Sequence, residues 1–128
     1  MNKIDDKLAP NLKISRILTG LWQVADMERG GQQLDLDKAA KALIPYVEAG
    51  LTTFDMADHY GSSELITGVL HKKYIAKEKL QLLTKWVPPP GKVSKETVRK
   101  AVQTALDLSL IHIPSPRDRT RSRMPSSA

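Results

Sequence analysis

The chain of 128 residues contains no cysteine. That excludes a disulfide framework, a thiol nucleophile and a thiolate metal site, and it suits a reducing compartment. No run is long and apolar enough to span a bilayer, and the N-terminal Met1-Asn2-Lys3-Ile4-Asp5-Asp6 has no apolar signal core. The expectation is a cytoplasmic protein with no membrane association. Neither a G-x-G-x-x-G turn nor a Walker loop is present, and no His/Asp/Glu spacing matches a metal site. Length sets a further bound, because a closed (β/α)₈ barrel takes about 250 residues.

The net charge of +6 is unevenly spread. Residues 108–128 hold Arg117, Arg119, Arg121 and Arg123 against Asp118 alone, which leaves residues 1–107 with 16 basic and 13 acidic side chains. The body is therefore electrostatically ordinary, and it offers no aromatic-basic platform for nucleic acid. No nucleic-acid partner is expected.

The informative stretch is Gly50-Leu51-Thr52-Thr53-Phe54-Asp55-Met56-Ala57-Asp58-His59-Tyr60-Gly61. It reads as a buried strand running into a polar loop that carries a carboxylate and a phenol. Period-two alternation puts Thr53, Asp55 and Ala57 on one face and Thr52, Phe54 and Met56 on the other. One βα unit later, Leu80-Gln81-Leu82-Leu83-Thr84-Lys85-Trp86 reads as a second such strand, with Gln81, Leu83 and Lys85 on one face. An Asp, a Tyr and a Lys at the carboxyl ends of adjacent parallel strands can converge on one point. A nearby ammonium favours the phenolate, and so makes a phenol a better proton donor near neutral pH.

These residues resemble the aldo/keto reductase family. Its signature, G-x-T-x-F-D-x-A-x-x-Y-G-x-x-E, is matched from Gly50 through Glu64, and Thr84-Lys85-Trp86 stands where the family carries its catalytic lysine. Gly20-Leu21-Trp22 is similar to the family's first barrel loop. The resemblance implies an α/β fold, namely the first three or so βα units of a (β/α)₈ TIM barrel, left incomplete at this length. It implies reduction of an aldehyde or ketone by NADP(H), with Tyr60 as general acid and Lys85 and Asp55 beside it. It also implies cofactor contacts at Gly20, Leu21, Trp22 and Asp55, and a pocket for a small carbonyl substrate walled by Trp22 and Trp86. The missing dinucleotide fingerprint is no objection, since such barrels hold phosphates in late βα loops. A second reading, a non-catalytic regulatory subunit of the same superfamily, would keep the same three residues.

Around these motifs, residues 1–9 are expected to be loose, and Asn11 to Ile17 to form a short strand or hairpin closing the barrel floor. Ile17 to Trp22 reads as the first barrel strand and its exit, and Gly30-Gly31 as a loop. A first helix is capped by Asp35 or Asp37, carries Ala39, Leu43, Tyr46 and Val47 on one face, is kinked by Pro45 and stops at Gly50. A second helix, capped by Ser62 or Ser63, carries Leu65, Ile66, Val69 and Leu70. A third follows Ser94 and carries Val98, Ala101, Val102, Ala105 and Leu106 at helical spacing. His59 is read as exposed, and His71 as lying on a helix surface.

Residues 1–107 are thus expected to be the N-terminal portion of the barrel, and residues 108–128 a non-native, disordered tail. Reverse-translated, Leu108-Ser109-Leu110-Ile111-His112-Ile113 fits CTG TCT CTT ATA CAC ATC, the end of a widely used transposase sequencing adapter. Pro114 to Asp118 and Ser122 to Ala128 fit the adapter's continuation in the right order. His112 therefore imitates the family's fourth-strand histidine, with no room before it for a turn and a strand. Re-sequencing the source by a different library chemistry should return, after Asp107, a strand resembling D-Y-I-D-L and then a histidine. Recovery of the present tail from an adapter-free library would overturn that expectation.

Overall fold

In the computed structural model, which describes residues 3–25 and 34–109, the chain begins with an antiparallel hairpin. Strand β1 (Asp5–Ala9) turns at Pro10-Asn11 and pairs with β2 (Leu12–Ser15). Residues 5–9 are thus a strand, where the sequence suggested loose chain. A two-stranded hairpin is marginal alone, and this one is held from outside. The Arg16 amide donates to the Ile4 carbonyl at 2.7 Å, and the Ser15 amide donates to Thr53 Oγ1 at 2.8 Å.

The architecture beyond the hairpin is α/β. Strands β3 (Thr19–Gly20), β4 (Thr53–Asp55) and β5 (Gln81–Leu83) form a parallel sheet in that order. Helix α1 (Leu36–Glu48) leads to β4, α2 (Ser63–Lys73) and a 3₁₀ turn (Lys77–Lys79) lead to β5, and α3 (Lys95–Ser109) follows. The first barrel strand is shorter than Ile17–Trp22. Leu18 and Ile17 are exposed, while Leu21 leaves the ladder and turns into the core.

The register pairs Gly20 with Asp55 and Asp55 with Leu83, and it pairs Phe54 with Leu82. Phe54 and Met56 are fully buried with Leu21, Ala40, Leu43, Ile66, Leu70 and Leu82, between the sheet and helices α1 and α2. Each such large side chain contributes on the order of 1.5–3 kcal/mol by leaving water. On the opposite face, Thr53 Oγ1 donates to Gln81 Oε1 at 3.1 Å, and the Thr53 amide donates to Ser15 Oγ at 3.1 Å. These bonds make a polar layer that joins the hairpin to the base of the sheet, the floor expected from the sequence.

Helix boundaries follow local chemistry. Asp35 caps α1 by accepting from the Lys38 amide, and Ser94 caps α3 by accepting from the Thr97 amide, both at 3.1 Å. Ser62 stands at the N-cap of α2 without a side-chain cap bond. Helix α1 runs through Pro45 and ends where Gly50 adopts φ +89°. The Leu51 amide reaches the Tyr46 carbonyl and the Gly50 amide the Val47 carbonyl, a Schellman ending that any Cβ would strain. Not every apolar side chain at helical spacing is covered: Tyr46, Leu65, Val98 and Val102 are exposed. His71 is half-buried rather than superficial, and its Nδ1 has no hydrogen-bond partner among the described residues. The Gly30-Gly31 loop and all of 110–128, His112 included, lie outside the described residues.

Helices α1 and α2 are also joined at their surface. Asp37 accepts from the Tyr74 hydroxyl and pairs with Lys41 at 3.2 Å and Lys73 at 3.3 Å. The Tyr74 bond, then the two lysines, hold the Asp37 carboxyl at about 2, while the same bond raises the Tyr74 hydroxyl. A carboxyl depressed by folding contributes stability above its unfolded value near 4, and loses it as pH falls towards the folded value. In the complete barrel, Asp37→Asn should therefore lower the Tm at pH 6. The gap to wild type should close steadily between about pH 4 and 2. A pH-independent gap in thermal melts would refute the assignment.

Candidate active site

Every group expected at the site sits at, or just beyond, the carboxyl end of a strand, as parallel α/β sheets place their chemistry. Asp55 is the last residue of β4. Its carbonyl accepts from the Leu21 amide at 3.0 Å, which fastens the exit of β3 to that of β4. Met56 and Ala57 continue the strand direction as fully buried residues, and the Met56 amide donates to the Leu83 carbonyl at 2.7 Å. The chain then turns. The Tyr60 amide returns to the Ala57 carbonyl at 3.0 Å and Ser63 Oγ bonds the same carbonyl at 3.3 Å, while the Ser63 amide donates to the Tyr60 carbonyl. Gly61, at φ +48°, releases the chain into α2.

Lys85 reaches across from β5. Its Nζ lies 2.7 Å from Asp55 Oδ1 and donates to the Met56 carbonyl at 2.6 Å. It also stands 5.1 Å from the centre of the Tyr60 ring. The structure therefore brings Asp55, Tyr60 and Lys85 together, with the ammonium between the carboxylate and the phenol ring. The ion pair is partly open to solvent, so its weight is in geometry more than in energy.

The tryptophans part company. Trp22 packs edge-on against Tyr60, ring centres 4.9 Å apart and planes at 89°, and against His59 at 6.3 Å. Trp86 makes no such contact. It lines a cavity of about 590 Å³ with Leu82, Leu83, Ala101 and Leu106, between β5 and α3. That cavity touches Lys85 and Asp58 but neither Asp55 nor Tyr60, so it is not the site itself. Leu21 also departs from expectation. Its side chain is wholly buried, and its amide and carbonyl are bonded to Asp55 and Ala25. A Cβ at Gly20 would meet nothing within 4 Å, so that strand exit is uncrowded.

Four further polar residues, Asp58, His59, Glu64 and Thr84, surround the site. His59 is exposed, as expected, and it also makes contacts: Nδ1 lies 3.1 Å from Asp58 Oδ1, and its ring packs on Tyr60 with centres 4.9 Å apart. The other Asp58 oxygen accepts from the Val87 amide at 3.1 Å, and the Asp58 amide donates to the Lys85 carbonyl at 2.9 Å. Burial works against the Asp58 charge. The His59 bond and the Val87 amide outweigh it and hold that carboxyl below the ordinary carboxylate range. Glu64 is nearly buried and accepts from Thr84 Oγ1 at 2.6 Å, next to Lys85. An acidic residue beside a histidine in a turn was the only sequence signal for the first pair. For the second there was the Glu that closes the motif. Among the described residues, no group of three or more His, Asp or Glu side chains could hold a metal ion, and no helix is long and apolar enough to cross a membrane.

Comparisons with known proteins converge on one family. A family model described as "Aldo/keto reductase family" matches residues 16–117, a span that runs past Asp107 and takes in His112. The 6-dehydroglucose reductase of Agrobacterium fabrum is 29% identical over 136 residues, covering 85% of this chain and 43% of that protein. Among solved structures, PA4992 of Pseudomonas aeruginosa, a protein assigned as an aldo-keto reductase, superposes with a TM-score of 0.65 at 21% identity. It covers 84% of this chain and 43% of its own. A second structure of an aldo-keto reductase assignment from the same organism gives 0.64 at 22% identity. The chain spans less than half the length of each of these relatives.

Proposed function

The chain belongs to the aldo/keto reductase family, and from that premise we propose that it supplies the acid half of a carbonyl reductase site in a (β/α)₈ barrel. The observation that carries the reading is the Lys85 ammonium, bonded to Asp55 and lying against the Tyr60 ring. Tyr60 donates the proton to the carbonyl oxygen. The Lys85 ammonium stands against the ring that is left charged, and Asp55 with the Met56 carbonyl keeps the ammonium in place. The substrate is a small aldehyde or ketone that enters past Trp22. A hydroxylated, sugar-like carbonyl is one such class, given the similarity to a 6-dehydroglucose reductase.

NADP(H), when bound, supplies the hydride. The residues at the mouth suit its nicotinamide end: Gly20, uncrowded by any side chain, pairs in register with Asp55, and Trp22 two residues on is exposed. None of the described residues forms a phosphate cradle, and we assign the phosphates to later βα loops of the complete barrel. Residues 1–107 are then its N-terminal portion.

Two tests follow. In the complete barrel, obtained by extending the source sequence beyond the codon for Asp107, Tyr60→Phe should lower kcat for a reactive aldehyde by about 10²–10⁴-fold. The Kd for NADPH should stay near wild type. A variant that kept most of its turnover would show that Tyr60 is not the acid. The 128-residue chain alone should show no NADPH-dependent aldehyde reduction, and should bind ANS through exposed apolar side chains such as Val98 and Val102. A sharp cooperative melt together with reductase activity would contradict this.

A further inference from the structure

The phenol and the lysine reach the site on separate loops, joined before the turn by the Met56 amide on the Leu83 carbonyl and after it by Thr84 on Glu64. The turn bonds at Tyr60 and Ser63 are internal to the Tyr60 loop. The Lys85 side chain is anchored upstream of the turn, on Asp55 and the Met56 carbonyl. One residue within the turn also bridges the two loops. Asp58 gives its amide to the Lys85 carbonyl, takes the Val87 amide on one carboxylate oxygen, and holds the His59 ring on the other. The His59 ring in turn lies against Tyr60, which Trp22 backs from another side.

We propose that Asp58 is a positioning residue: the strut that keeps the Tyr60 loop in register with the lysine-bearing segment, with His59 as its contact to the phenol. The proposal rests on the carbonyl-reductase reading of Asp55, Tyr60 and Lys85. Asp58 touches no reacting group itself. Its two oxygens face a fixed backbone donor at Val87 and a ring nitrogen at His59. A carboxylate there can accept from both at once, which requires the proton of a neutral imidazole to sit on Nδ1. That leaves the other ring nitrogen, Nε2, unprotonated.

The strut makes two measurable demands on the complete barrel. Nitrogen-15 NMR of labelled histidine, at mildly alkaline pH where a free imidazole is neutral, should find His59 in the Nδ1–H form. In Asp58→Asn the amide oxygen still accepts from Val87, and the amide nitrogen now faces Nδ1, so the ring should switch to the Nε2–H form. The second demand is kinetic. Small displacements of catalytic groups cost about 10²-fold. Asp58→Ala should therefore lower kcat by about ten- to a hundredfold, with KM for the aldehyde changed by less than about twofold. Asp58→Asn, which keeps both contacts, should recover kcat to within about threefold of wild type.

A wild-type ring in the Nε2–H form overturns the proposal, and so does wild-type kcat in Asp58→Ala where Tyr60→Phe is inactive. If Asp58→Ala does not fold, the tautomer switch and the retained kcat of Asp58→Asn decide the matter. Full turnover in Tyr60→Phe would instead remove the reductase reading, and the strut with it.

Discussion

The parallel register of β4 against β5 is the constraint on which the remainder depends. Phe54 sits beside Leu82, and Asp55 beside Leu83. Because side chains alternate, a slip of one residue would turn Asp55 into the helix layer and bring Phe54 to the site face. Burying an unpaired carboxylate there would be costly. The same register gives Lys85 its reach: two residues past Leu83 it lies on the inner face, close enough for its Nζ to meet Asp55 Oδ1. Core packing and site chemistry are therefore two readings of one hydrogen-bond ladder. The hydrophobic side supplies the energy that selects the register, and the polar side uses the positions it sets.

The two ends of β4 divide the work. At its base, Thr53 exchanges bonds with Ser15 and shares Gln81 with Thr52. At its mouth, Asp55 takes the Leu21 amide and the Lys85 ammonium. The middle residue, Phe54, is the only phenylalanine in the chain and is wholly buried. With few aromatics available, the core is built from leucine, isoleucine and alanine around that one ring.

Much of this was legible in the residue pattern. Alternation in Thr52 to Ala57 and in Leu80 to Lys85 assigned both faces, because the period of a strand leaves no freedom once the apolar face is known. Caps at Asp35 and Ser94 and the stop at Gly50 were readable from local chemistry. Helical spacing could not show that Tyr46, Leu65, Val98 and Val102 stay exposed, since spacing identifies a stripe but not its edges, and not which stripe meets a neighbour. The β1 strand was invisible because its pairing is stabilised by Ser15 and Thr53, 38 positions apart. The Asp58 bonds to Val87 and to the Lys85 carbonyl were hidden for the same reason, as contacts between loops that only the sheet brings together.

Helix α1 hands the chain to β4 through a single left-handed residue, and a Cβ on Gly50 would come within 3.2 Å of Ile4 Cγ2. Ile4 is held in turn by the Arg16 amide, at the end of the hairpin that Ser15 ties to Thr53. The helix stop and the floor of the sheet thus share one small contact zone. A substitution at Gly50 would act there twice, through its own dihedral angles and through the seating of the hairpin. In mutational terms, a glycine outside the candidate site behaves as a hinge pin for the strand that carries Asp55. Its tolerance for change is set by an isoleucine 46 positions upstream.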